Sequence, residues 1–281
     1  MGLTGKARVA GVIGWPVAHS RSPRLHGFWL ARHGVDGAYV PLAVRPEHFA
    51  RVVRSLADAG LAGANVTLPH KEAAFGVCDE VAAPAARAGA VNTLVFRADG
   101  SILGTNTDGA GFLDSVAEAV PGWHASDGPA VVLGAGGAAR AVAAALLDAG
   151  CPRVSVANRT AARAEALVAE LGAGAEAAGW DAPPLAGATL LVNATSLGME
   201  GGSGPLPTLD LGALPPGAVV ADIVYTPLET PLLAAARATP GLRAVDGLGM
   251  LLHQARAGFE AWFGVRPAVD EALRAYVLAG P

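Results

Sequence analysis

Apolar positions along the chain alternate between short β-branched runs and longer stretches at helical spacing, the pattern of an α/β protein. Residues 9–13 read as a strand that stops at Gly14. A loop through Trp15, His19 and Ser20 follows; then Leu25, Phe28 and Trp29 recur at helical spacing, with Ser22 at the N-cap, Pro23 at the first helical position and Gly34 as the stop. Residues 38–42 form a second strand, and Phe49, Val52, Val53 and Leu56 mark an amphipathic helix ending near Gly60. The stretch from Gly63 reads as a strand that stops at Pro69 and delivers Thr67 and Lys71 to its end, and the pattern recurs at 90–96 and, after a turn at Asp99-Gly100, at 102–108, with Asn92, Asn106 and Asp108 flanking strand ends where open sheets bind ligands.

Residues 108–120 read as a linking helix, with Gly109 and Gly111 giving freedom where one domain hands over to the next, and 121–129 as loop. A β-branched run at 131–133 then meets Gly134-Ala135-Gly136-Gly137-Ala138 and turns into an alanine-rich helix closing at Gly150. Further strands are expected at 153–157, 189–193, 218–222 and 242–245, with a helix from near Thr160, another begun by Thr230-Pro231, and a flexible loop at 198–204. Helices at 250–262 and 267–279 are expected to fold back onto the first domain.

A length of 281 residues, with 52% hydrophobic and 16% charged, allows two domains and a large core. A net charge of −4 without a basic tract gives no general attraction to nucleic acid or anionic membrane, so the expected partner is a small molecule. Pro, Gly, Asn and Thr break the longer uncharged stretches, which excludes a spanning helix, and Lys6 and Arg8 run too soon into a glycine turn for a secretory signal. Cys78 and Cys151 show no C-x-x-C spacing and fit the reduced cytoplasm. His19, His26 and His33 lie seven apart, two helical turns or roughly 10 Å of rise, too far to share a metal; they read as surface or capping histidines, and no metal is expected. Oligomeric state is not legible, and a homodimer stays open.

Gly134 and Gly136, with Ala139 in the third place, satisfy the G-x-G-x-x-G/A pattern, in which absent side chains let backbone and helix N-terminus approach a pyrophosphate. Alone the pattern also suits a helix packed close on a sheet; the strand and helix that follow it favour a dinucleotide. At the tip of the next strand, where an NAD protein usually carries an acid, the chain has Asn158-Arg159-Thr160 with Arg163 a turn further on, which suits a 2′-phosphate and favours NADP. Lys71 is one of only two lysines among 20 basic residues, Gln254 is the only glutamine, and the asparagines are Asn65, Asn92, Asn106, Asn158 and Asn193. Residues kept against such a drift are candidates for chemistry, and a lysine can release a proton that an arginine holds. Ser20 and Ser22 at a helix start could bind a carboxylate, although capping accounts for Ser22 equally well.

These segments, in this order from about residue 11 to 263, resemble the shikimate dehydrogenase family. The resemblance rests on Gly14 to Pro23, Asn65-Val66-Thr67-Leu68-Pro69-His70-Lys71, Gly89 to Thr93, Gly104 to Gly109, Gly134 to Ala138, Asn158 to Thr160, Asn193 to Met199, Asp222 to Tyr225 and Asp246 to Met250. It implies an α/β chain of two domains, a substrate domain of residues 1–107 with 247–281 and an inserted Rossmann-type NADP domain of 108–246, the active site lying in the cleft between them. It implies reversible reduction of 3-dehydroshikimate to shikimate with NADPH, on the route to chorismate and the aromatic amino acids. Ser20 and Ser22 would then take the substrate carboxylate, with Tyr225 nearby; Thr67, Asn92 and Gln254 would take ring hydroxyls. Lys71 and Asp108 would be the catalytic pair, Asp108 also touching substrate. Gly134, Ala135, Gly136, Gly137 and Ala138, with Asn158, Arg159, Thr160 and Arg163, would carry the cofactor, and Ile223 and Gly247 would lie where backbone approaches the nicotinamide. Ala83 and Ile223 depart from an acid and a methionine found in some relatives. An NAD-using quinate/shikimate dehydrogenase and a non-catalytic NADP-sensing regulator are the alternatives; the basic strand tip argues against the first, the presence of Lys71 and Asp108 against the second.

Overall fold

A computed structural model of the chain describes residues 2–200 and 204–280; Gly201 to Ser203, within the loop expected to be flexible, lie outside the described residues. In chain order the elements are β1 (Arg8–Gly14), α1 (Ser22–Arg32), β2 (Gly37–Ala43), α2 (Phe49–Asp58), β3 (Gly63–Val66), α3 (Lys71–Phe75), β4 (Glu80–Val81), α4 (Ala83–Ala88), β5 (Thr93–Phe96), β6 (Ile102–Thr105) and α5 (Asp108–Ala119). They continue with β7 (Ala130–Leu133), α6 (Gly137–Asp148), β8 (Val154–Ala157), α7 (Ala161–Leu171), β9 (Ala175–Ala178), β10 (Leu190–Asn193), β11 (Val219–Asp222), α8 (Pro231–Ala238), β12 (Arg243–Val245), α9 (Gly247–Phe263) and α10 (Glu271–Leu278). Residues Met1–Thr107 and Gln254–Pro281 form one unit and Asp108–His253 a second, so the chain returns to its first unit inside α9.

The first unit is built on a mixed six-stranded sheet in the order β2-β1-β3-β5-β6-β4. β1 pairs parallel with β2 and β3, whereas β5 pairs antiparallel with both β3 and β6. Antiparallel pairing fixes which side chains face each other, and here it sets Asn65 opposite Thr93. The C-terminal helix fastens the start of α1: the guanidinium of Arg21 donates to the Val277 carbonyl at 3.2 Å and that of Arg24 to the Tyr276 carbonyl at 2.6 Å. The C-terminal helix thus holds the segment that carries Ser20 and Ser22.

Three sequence expectations change here. Arg21, not Ser22, is the N-cap of α1; Ser22 is the first helical residue and the cap carries no side-chain hydrogen bond. His26 is neither on the surface nor at a cap: it is wholly buried and its ring stacks on Tyr39, centroids 3.9 Å apart. Burial pushes its imidazole pKa down to about 3, so it is a neutral core aromatic. Lys71 opens the short helix α3, because the strand before it already ends at Val66.

The second unit has six strands, all parallel, in the order β12-β11-β10-β7-β8-β9. Two halves run outward from the β7–β10 junction, which is the doubly wound Rossmann order with its switch point at that junction. β7, β8, β10 and β11 are buried along their whole length, as strands covered on both faces must be, and apart from Ser155, Asn193 and Asp222 they consist of Val, Leu and Ala. Gly109 does not loosen the start of α5. A Cβ there would stand 2.6 Å from both the Ala141 carbonyl oxygen and the Ala145 methyl, so glycine is needed for α5 to cross close over α6. The last two helices begin at Gly247 and Glu271 rather than at 250 and 267, the second capped by the Asp270 side chain, which accepts from the Leu273 N–H. Among the described residues no helix is long and apolar enough to cross a membrane.

Candidate active site

In the second unit, β7 ends at Leu133 and the chain turns through Gly134 and Gly136 into α6. Gly134 has φ +112°, a conformation L side chains avoid, and a Cβ there would be 3.0 Å from the Ala194 carbonyl oxygen across the switch point. Gly136, the N-cap of α6, has ordinary extended backbone, and a Cβ built on it meets nothing within 4 Å among the described residues beyond its chain neighbours. One glycine is required by the fold. The other guards open space directly before a helix N-terminus, where the unpaired N–H groups of Gly137 and Ala138 suit a pyrophosphate. Ala135 and Ala139 are buried against the core, so the turn sits close on the sheet. The residues present therefore fit a dinucleotide.

At the tip of β8, the Asn158 carboxamide donates to the Thr160 carbonyl at 2.8 Å and closes the turn into α7. Arg159, Thr160 and Arg163 project from this turn and are exposed. Across the switch point, Asn193 at the end of β10 organises the next two loops. Its Oδ1 accepts from the Thr195 N–H and hydroxyl at 3.1 and 2.7 Å; its Nδ2 donates to the Leu197 carbonyl at 3.1 Å and to Asp222 at 2.9 Å. Asp222 also accepts from the Val224 N–H and the Thr230 hydroxyl, at 3.0 and 2.8 Å. Burial pushes the Asp222 carboxyl above the usual carboxylate range. This network fixes the segment carrying half-buried Ile223 and Tyr225. Gly247 meets that segment backbone to backbone: a Cβ on it would lie 2.3 Å from the Ile223 carbonyl oxygen. Two residues expected near the nicotinamide are thus neighbours. Asp108 opens α5 in this unit and is buried.

In the first unit, Ser20 and Ser22 are adjacent as expected: the Ser22 N–H donates to the Ser20 hydroxyl oxygen at 3.3 Å. Thr67 and Lys71 bracket the turn after β3. The Lys71 carbonyl accepts from the Val91 N–H at 2.9 Å, which brings that turn alongside Asn92. Asn92 and Gln254, distant in sequence, do meet. Asn92 Oδ1 accepts from the Thr107 N–H at 2.9 Å, its Nδ2 donates to the Thr107 hydroxyl at 2.9 Å, and Gln254 Oε1 lies 3.4 Å from that hydroxyl and 3.5 Å from Asn92 Nδ2. All three side chains are buried. Sequence reasoning missed Thr107 as the link and Asn65 and Thr93 beside Asn92, and in the second unit it missed Asn193 and Asp222 as the pair that organises the loops. The scarcity of asparagine marked Asn65 and Asn193, but nothing in the sequence assigned them a task.

Fold and site together define a two-unit oxidoreductase that works with a pyridine dinucleotide. Residues 12–94 match the shikimate dehydrogenase substrate binding domain, 116–182 match shikimate/quinate 5-dehydrogenase, and 247–275 match the shikimate 5′-dehydrogenase C-terminal domain. The chain is 63% identical to a shikimate dehydrogenase (NADP+) of Rhodospirillum rubrum, covering 99% of this chain and 100% of that protein. It superposes with TM-score 0.90 at 35% identity on a shikimate dehydrogenase solved with NADP+, covering 99% of this chain and 97% of the other. With the Thermus thermophilus enzyme solved with NADP(H) and shikimate, the TM-score is 0.84 at 40% identity, covering 97% of this chain and 99% of the other. The chain belongs to the shikimate dehydrogenase family.

Proposed function

We propose that this protein interconverts 3-dehydroshikimate and shikimate with NADP(H) in the cytoplasm, as a step of chorismate and aromatic amino acid biosynthesis. The observation that carries the reading is the buried Asn92–Thr107–Gln254 cluster, in the unit whose N-terminal part matches a substrate binding domain. Uncharged, mutually oriented hydrogen-bonding groups suit a ring bearing several hydroxyls. The two cysteines, both unpaired, suit a reducing compartment.

When bound, NADPH supplies the hydride that reduces the ring ketone. The protein's part is to hold the ring and to manage the proton. Ser20 and Ser22 receive the carboxylate, with Tyr225 beside it, and Thr67, Asn92 and Gln254 receive hydroxyls. Lys71 gives the ketone oxygen its proton and takes it back in the oxidative direction, with Asp108 as the second member of the pair. Gly134 to Ala138 receive the pyrophosphate, while Arg159, with Asn158, Thr160 and Arg163, receives the 2′-phosphate. Ile223 and Gly247 approach the nicotinamide.

Initial rates with shikimate and with quinate, each against NADP and NAD, test the reading: shikimate with NADP is expected to be the preferred pair. A preference for quinate or for NAD in the wild-type protein rejects it. In the same assay Arg159→Ala should raise the KM for NADP about 10- to 100-fold, the worth of one charge-assisted hydrogen bond, with little change for NAD. Equal effects on both cofactors would remove Arg159 from the 2′-phosphate site.

For the carboxylate, the Ser20→Ala/Ser22→Ala double variant is expected to weaken shikimate binding on the order of 100-fold, two hydrogen bonds to a charged group, while binary NADP binding stays intact. The N-cap, Arg21, makes no side-chain bond, and the variant gives up at this helix end one long 3.3 Å bond from the Ser22 N–H to the Ser20 hydroxyl, so it should keep its helix. Unchanged shikimate affinity in the folded double variant assigns the carboxylate elsewhere.

A further inference from the structure

Behind Asn92 lies a line of buried polar side chains that the proposed reaction does not use. The Tyr39 hydroxyl donates to Asn65 Oδ1 at 2.6 Å; Asn65 Nδ2 donates to the Thr93 hydroxyl oxygen at 3.1 Å; the Thr93 hydroxyl donates to Asn92 Oδ1 at 2.9 Å. Asn65, Thr93 and Asn92 are 6%, 1% and 2% exposed, so no bulk water can replace a missing partner.

The direction of this line is fixed at both ends by main-chain groups. The Asn92 backbone carbonyl, which can only accept, stands 3.2 Å from one atom of the Asn65 carboxamide, so that atom is the nitrogen. The oxygen of Asn65 then faces Tyr39, whose phenol must donate. The Thr107 N–H, which can only donate, stands 2.9 Å from one atom of the Asn92 carboxamide, so that atom is the oxygen. The Thr93 hydroxyl lies between a donor and an acceptor and has one proton to give. It accepts from Asn65 and donates to Asn92. Cross-strand register places it there, because Thr93 on β5 is the partner of Asn65 on β3. With its oxygen held by Thr93 and Thr107, Asn92 can turn only its N–H₂ edge to Thr107 Oγ1 and Gln254 Oε1.

We propose that Thr93, set by Asn65 and Tyr39 behind it, is a positioning residue that holds the Asn92 carboxamide in the one orientation that substrate recognition uses. The proposal rests on the assignment of Asn92 to a ring hydroxyl. A valine at 93 keeps the shape and removes both bonds, so that the Asn92 oxygen keeps the Thr107 N–H but loses the Thr93 donor and the carboxamide is less firmly set; a serine keeps the hydroxyl. Tyr39→Phe keeps the ring stacked on His26 and removes the donor to Asn65, along with the phenol's bond to Ser22.

The experiment compares Thr93→Val, Thr93→Ser, Tyr39→Phe and the Tyr39→Phe/Thr93→Val double variant with wild type, all as full chains. It reads KM and kcat for shikimate, KM for NADP and thermal midpoint. Expected are a shikimate KM raised about tenfold in Thr93→Val and less in Tyr39→Phe, about what loss of one buried hydrogen bond implies. Thr93→Ser should stay within twofold of wild type, NADP KM should not move, and the double variant should be at least as impaired as Thr93→Val, with any excess traced to the Tyr39–Ser22 bond. A shikimate KM within twofold of wild type in Thr93→Val overturns the proposal, as does a Thr93→Ser variant as impaired as Thr93→Val. Should Tyr39→Phe fail to fold, the contrast between valine and serine at 93 decides alone. A wild-type protein that does not oxidise shikimate overturns the functional reading and this proposal together, whereas normal turnover in wild type with an indifferent position 93 overturns only this one.

Discussion

Lys71→Ala is expected to lower turnover of shikimate with NADP about 10²- to 10⁴-fold, the usual contribution of a positioned acid or base, while leaving the affinities for both ligands largely intact. Reduction of a ketone places negative charge on the oxygen as hydride arrives, and that oxygen must gain a proton from a donor within about 3 Å. Lys71 is the only lysine besides Lys6, and it sits on the turn whose backbone joins that of Val91, one residue from Asn92, the residue proposed to bind a ring hydroxyl. Lys71→Arg separates two roles. Arginine keeps the positive charge but does not release its proton at ordinary pH, so a proton carrier fails as arginine nearly as badly as it fails as alanine. An electrostatic clamp on the developing oxyanion would instead be largely restored by arginine. Turnover within a factor of about ten of wild type in both variants, roughly 1.4 kcal/mol of barrier, removes Lys71 from proton transfer.

The sequence made the α/β alternation, the glycine turn and the arginine tip legible because each depends on neighbours in the chain. β7, α6 and β8 could be read from one β-branched run, one glycine cluster and one alanine-rich stretch. β9, with the sequence Ala-Glu-Ala-Ala, was not legible, since its strand state comes from pairing with β8 and not from its own propensity. The two-residue β4 is a similar case, formed against β6. His26 was misread for a related reason: helical spacing shows where a side chain lies around a helix, but Tyr39 and Phe259, which enclose it, come from other parts of the chain. Gly109 was read as a flexible joint because sequence shows that a side chain is missing and not what occupies its place. At the site, Asn92 and Gln254 carried their own signal in a chain poor in amides, whereas Thr107 and Thr93 carried none. Threonine is unremarkable in a strand, and only register and the return of α9 show which hydroxyl meets which amide.

Gly136→Val is expected to abolish useful NADP binding, by about 100-fold or more, in a protein that still folds and still binds shikimate. The two glycines of the turn differ in what they oppose. At Gly134 the positive φ and the nearby Ala194 carbonyl oppose any side chain from within the protein, so a substitution there would confuse loss of fold with loss of binding. At Gly136 the backbone is extended, φ −87° and ψ −178°, and among the described residues nothing beyond its own chain neighbours lies within 4 Å of a built Cβ. Losing glycine from this N-cap costs at most about 1 kcal/mol, a shift of roughly 2–4 °C in thermal midpoint for a chain of this size. The added methyls would occupy the space through which the first N–H groups of α6 reach a pyrophosphate, removing close backbone approach and helix-terminus stabilisation together. Calorimetric titration with NADP, beside a thermal melt of the unliganded variant, checks both halves. NADP affinity within threefold of wild type would place the pyrophosphate away from this turn. A midpoint lowered by more than about 10 °C would mean that Gly136, like Gly134, is held by the fold.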